Sequence, residues 1–152
     1  MALPKIFSEE VSNQIIERIN SLTPEIQAQW GKMNVSQMLA HCNVTYEMVY
    51  ENKHPKPNFF MHFLLKALVK GKVTNEVPYK RSIQTAPAFI MKDNKDFGAE
   101  KARLIRYIQR TQELGGKYFH KKESLSFGRL TKDEWNNMFY KHLDHHLTQF
   151  GV

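Results

Sequence analysis

The sequence predicts an all-α protein, a four-helix bundle with long connecting loops. Three observations carry that prediction. Apolar residues recur at helical spacing in four long stretches. Two of these stretches open on a capping box, Asn34 with Gln37 and Thr131 with Glu134. Nothing in the chain reads as a parallel sheet.

Each element has its own justification. Ser8 is a fitting N-cap, with Glu9 and Glu10 in the first turn beyond it. Val11, Ile15, Ile16, Ile19 and Leu22 then form an apolar stripe. Thr23-Pro24 ends that helix and is expected to open a short helical turn reaching Trp30, which Gly31 breaks. The second helix carries its stripe on Val35, Met38, Leu39, Cys42, Tyr46 and Val49. Lys53 to Asn58, with Pro55 and Pro57, is a loop. Phe59 to Lys70 reads as a third helix or a short hydrophobic hairpin of helices. Gly71 to Gly98 is long and irregular, and such a stretch is expected to pack over something or cover a site. The next helix runs from near Phe97 to Leu114, where Gly115-Gly116 stops it. Its Leu104, Ile105 and Ile108 face the core, and Arg103, Arg106 and Arg110 form a surface stripe. Lys117 to Arg129 is a second loop, and the last helix runs from Thr131 to Phe150.

Composition bounds the class. Residues 1–152 fit one domain, and a hydrophobic content of 41% fits a packed core. No apolar run reaches the roughly 18 residues of a membrane span, and no leader peptide is visible, so no membrane partner is expected. Cys42 is the single cysteine, which excludes an internal disulfide and suits a reducing, cytoplasmic setting. The net charge of +7 comes from scattered residues, not from a block, and fits a solvated surface.

The histidines are the candidates for chemistry. His142 and His146 are four residues apart, so they return to nearly one helix face. With His142 at zero on a wheel, Trp135, Phe139, Leu143 and Phe150 centre near about 60° and His146 lies at about 40°. Both rings therefore point toward the core. His142 with His145 is geometrically possible but leaves one ring near solvent. His41, on the second helix, lies at the edge of the buried face beside Met38, Thr45 and Met48. Three imidazoles from two helices can hold one ion and leave a coordination position open. Cys42 lies about 100° from His41 and reads as a small buried hydrophobe. His54, His62 and Asp144 read as ordinary structural or solvated residues, and Trp135, Phe139 and Tyr140 as packing.

Trp30-Gly-Lys-Met-Asn-Val-Ser-Gln-Met-Leu-Ala-His41, Gly128 to Trp135 and Tyr140-Lys-His-Leu-Asp-His-His-Leu-Thr-Gln-Phe150 together resemble the DinB/YfiT-like superfamily. The narrower likeness is to a branch known mainly as a domain of unknown function. The resemblance spans nearly the whole chain, and its specific part is Lys141 to Phe150. It implies an up-down four-helix bundle, commonly a homodimer. It also implies a divalent metal, nickel or zinc, held by three histidines, and His41, His142 and His146 occupy those positions. Characterised relatives use the metal to activate a low-molecular-weight thiol. A histidine just before a Phe-Gly pair occurs in this branch. Here Lys121 to Ser126 separate His120 from Phe127-Gly128, so no role passes to His120.

Three functions follow in order. The first is a metal-binding protein acting as a thiol transferase or, next, in metal-assisted hydrolysis on a small-molecule substrate. Lys80 and Arg81 are placed to attract an anionic thiol. No catalytic residue beyond the ion's ligands is assigned. The second is a non-enzymatic bundle that binds a small molecule or a protein, because no carboxylate sits on the ligand face. The third, nucleic-acid binding, is disfavoured: the arginine stripe is short and no aromatics interleave with it.

Overall fold

The computed structural model describes residues 1–83 and 86–152. Residues 84–85 belong to the long irregular segment expected between Gly71 and Gly98 and lie outside the described residues.

The chain is mostly helical. Its helices are α1 (Glu9–Asn20), α2 (Val35–Tyr50), α3 (Phe59–Leu68), α4 (Lys70–Thr74), α5 (Phe97–Phe119) and α6 (Lys132–Gln149). A 3-10 turn covers Pro87–Phe89. Strands β1 (Glu123–Ser124) and β2 (Gly128–Arg129) form a small antiparallel hairpin, with Glu123 opposite Arg129 and Ser124 opposite Gly128.

Local chemistry sets the helix starts. The Ser8 hydroxyl accepts from the Val11 amide, and both predicted capping boxes are closed in both directions. Each such cap contributes about 1 kcal/mol. α5 ends its regular run at Gly115, whose φ of 69° only glycine adopts freely. One further turn then follows and buries Phe119, so the helix outlasts the stop expected at Gly115-Gly116.

α1, α2, α5 and α6 pack on one another and enclose the core. At its centre Phe139 stacks on Tyr46 and Trp135 at ring distances of 5.0 and 5.4 Å, and Phe119 meets its edge.

Four expectations change. No helical turn leads to Trp30. The Gln29 amide donates instead to the Gln149 carbonyl at 2.8 Å, which ties this segment to the end of α6. The hydrophobic third stretch divides at Val69 into two helices, one of its two readings, but α4 runs on to Thr74, inside the segment expected to be irregular. The arginine stripe is not simply solvated. Arg103 turns inward to Glu47 and Glu100, and Arg110 lies over the Tyr50 ring. Finally, α2 is buried nearly all round, including Asn43, Thr45 and Glu47. Most of the polar groups there have partners, while Asn43 Oδ1 and the Tyr46 hydroxyl have none among the described residues. The Asn43 side-chain amide donates to Glu100, and Glu47 receives Lys53, His54 and Arg103.

Candidate metal centre

α2 and α6 bring His41, His142 and His146 together, with one ring nitrogen of each within 4.8 Å of the others. His41 Nε2 and His142 Nε2 are 3.0 Å apart. Nitrogens around a tetrahedral zinc stand about 3.3 Å apart, given Zn–N bonds near 2.05 Å. The His41–His142 pair stands close to that spacing, and the whole cluster lies within 4.8 Å.

The outer nitrogens fix how the rings face. His41 Nδ1 lies 2.8 Å from the Phe89 carbonyl. A carbonyl only accepts, so neutral His41 carries its proton on Nδ1 and turns a bare Nε2 inward. His146 Nδ1 lies 2.8 Å from Gln149 Oε1. The Gln149 amide nitrogen donates to the Trp30 carbonyl at 2.7 Å, which fixes the orientation of that amide. Oε1 must then accept, so His146 also presents a bare Nε2. Gly31 makes room for this arrangement. Its φ is +85°, and a Cβ there would stand 2.5 Å from the Gln149 amide nitrogen.

His142 differs. Its Nδ1 meets the Thr45 hydroxyl at 3.1 Å, and a hydroxyl can donate or accept. With His41 Nε2 bare, the 3.0 Å contact between the two Nε2 atoms needs a proton on His142. Thr45 then donates to His142 Nδ1. Three bare Nε2 atoms become available once that proton moves to Nδ1 and the Thr45 hydroxyl turns to accept it. This pattern of histidines held from behind by oxygen acceptors is the usual support of metal-ligating imidazoles.

Electrostatics favour neutral rings. Burial lowers the pKa of His41, and the charge of His145 adds to the effect against the Phe89 hydrogen bond. Burial lowers His142 well below its ordinary value, helped by His146 and His41. Burial and His41 bring His146 down to about 3. All three rings are thus uncharged near neutral pH, each with one bare nitrogen, as metal ligands must be.

The surroundings shape access. Phe89 lies over the cluster, 5.3 Å from His41 and 6.0 Å from His142 between ring centres. The irregular segment therefore covers the histidines, and His41 is buried where an edge position was expected. His145 packs against His146 and stands between Trp30 and Tyr79. A cleft of about 200 Å³ opens beside it, lined in part by Trp30, Tyr79, Arg81 and His145. Arg81 lies 4.2 Å over the Trp30 ring, whereas Lys80 does not line the cleft.

The remaining candidates lie elsewhere. Cys42 is buried, and burial raises its thiol pKa. Asp144 pairs with Arg18 at 2.8 Å. His54 pairs with Glu47, and His120 is the C-cap of α5. Sequence reasoning gave no role to three supporting groups: the Phe89 carbonyl, Gln149 and Thr45. Gln149, three residues beyond His146, was within reach of the same wheel argument. A backbone carbonyl in an irregular segment leaves no such signal.

Fold and site together define a class: mostly helical proteins with a three-histidine cluster able to hold a metal ion. Residues 7–151 match the family model described as protein of unknown function, DUF1569, and the chain belongs to that family. No curated protein and no solved structure matches it.

Proposed function

We propose that the protein binds a divalent metal, zinc or nickel, through His41, His142 and His146, and uses it in thiol transfer. The single observation behind this reading is the orientation of the rings: His41 and His146 are held from behind so that Nε2 faces inward, and His142 can join them by one proton shift. We also read the four long helices as an up-down bundle of the DinB/YfiT-like kind and the protein as a cytoplasmic homodimer. Support for the bundle is the mutual packing of α1, α2, α5 and α6.

A bound ion would supply Lewis acidity that lowers the pKa of a coordinated thiol or water. The chain's own residues do the rest. The Nε2 atoms of His41, His142 and His146 would hold the ion, and Phe89, which lies over the cluster, limits the access of water. Among the described residues the neighbouring cleft reaches the cluster only through His145, and its Arg81 and Lys141 offer positive charge to an anionic thiol beside Asp144. The thiol would give up its proton to solvent water, and its sulfur would form the new S–C bond to the electrophilic carbon of a second substrate as that carbon's bond to its leaving group breaks and the group departs with the electron pair.

A second reading, a non-enzymatic binding protein, has one observation in its favour. No Asp or Glu among the described residues hydrogen-bonds to the three histidines, so no carboxylate base is at hand. The test is loss of free thiol with a model electrophile and a panel of low-molecular-weight thiols. The transferase reading expects turnover by zinc- or nickel-loaded protein, removed by chelator and absent in His142→Ala. Stoichiometric metal without turnover on any thiol or activated ester would favour the binding reading.

A further inference from the structure

Helix α3 is rich in apolar side chains, yet none of its ten residues is buried. Phe59 is 91% exposed, Phe60 67% and Phe63 62%. These three lie within about 100° of one another on a helical wheel, so they share one outward face. The helix is held mainly through α4, with His62 and Lys66 beside Gly128 of β2. The Lys141 ammonium of α6 donates to the Lys72 and Asn75 carbonyls and to Asn75 Oδ1, and Asn137 donates to the Thr74 carbonyl. Apolar patches left in water in this way mark interaction surfaces.

The charge around the patch selects its occupant. Residues 52–75 include five lysines and two histidines but no Asp or Glu. Lys53 and Lys70 are engaged by Glu47, Glu51 and Glu134. Lys56, Lys66 and Lys72 make no ion pair among the described residues. Two copies meeting through α3 would set like charges face to face. A ten-residue helix is also only about 15 Å long. That is too short to bury the roughly 800 Å² per partner of a stable interface.

We propose that α3 docks the protein on an anionic phospholipid surface, with Phe59, Phe60 and Phe63 inserted and Lys56, Lys66 and Lys72 at the level of the phosphates. No helix among the described residues is long and apolar enough to cross a membrane, so the attachment is peripheral. It revises the expectation of no membrane partner and is independent of the metal reading.

The experiment is co-sedimentation with phosphatidylglycerol-containing vesicles, with pure phosphatidylcholine vesicles beside them. Binding is expected on the anionic vesicles, weakening as salt rises. Phe59→Ser/Phe63→Ser is expected to lose at least about tenfold in partitioning, and Lys66→Ala about fivefold. Both variants should melt with the wild type, because the removed side chains are exposed. No sedimentation on anionic vesicles at low salt overturns the proposal. So does binding that the double variant keeps, and so does a concentration-dependent dimer that the double variant dissociates.

Discussion

Thr45→Val tests the proton shift on which the site depends. Valine keeps the β-branched shape in a buried helix position and removes only the hydroxyl. In the metal-bound state His142 must carry its proton on Nδ1, 3.1 Å from the Thr45 oxygen. Without that oxygen a buried N–H has no acceptor, which costs about 1–3 kcal/mol. The metal-free state also loses a partner, but there Nδ1 is a bare lone pair, which tolerates isolation better than an N–H. The net effect is therefore toward the lower end, about 1–2 kcal/mol, or roughly tenfold in metal affinity. Competition for zinc against a chromophoric chelator measures it. Thr45→Ser, which restores an acceptor, should bind within about threefold of wild type. Ring-nitrogen NMR should show the proton of His142 moving from Nε2 to Nδ1 when metal is added. Wild-type affinity in Thr45→Val, or a serine variant as weak as the valine one, would refute the reasoning.

Three further outcomes follow from the same contacts. Gly31→Ala places a Cβ on the Gln149 amide at a backbone angle alanine resists. It should cost about 1–3 kcal/mol in a denaturant titration and weaken zinc binding as well. Burial pushes the Glu47 carboxyl up, but hydrogen bonds from His54, Lys53 and Arg103 outweigh it and hold the pKa below the usual 4.5. Glu47 therefore adds stability that is complete above that unfolded value and is lost as pH falls through the lower folded one. The difference in melting temperature between wild type and Glu47→Gln should shrink as pH is lowered through that window; a constant difference would count against it. Phe139→Ala empties the centre of the aromatic stack and should cost about 3–5 kcal/mol by the same titration.

Much of the helical pattern was legible because caps and periodicity are local. Ser8, Asn34 and Thr131 announce their helices in the residues that bond to them. The convergence of His142 and His146 was legible for the same reason, being one helix turn on one face. What escaped depends on distant partners. Asn43 and Glu47 look like a polar outer face of α2 and Thr45 like the edge of its buried one, and Glu100, Arg103 and His142 from other elements allow their burial. α3 shows the converse. Its apolar run reads as core, but none of its ten residues is buried among the described residues. The Phe89 carbonyl escaped because a backbone atom in an irregular segment has no residue signature.

Elemental analysis of the untagged protein as purified, beside a His142→Ala/His146→Ala double variant, tests the central claim most directly. The account predicts about one zinc or nickel per chain in the wild type, or after reconstitution, and little in the variant. No bound metal in the wild type after incubation with either ion, or equal metal in both proteins, would contradict it.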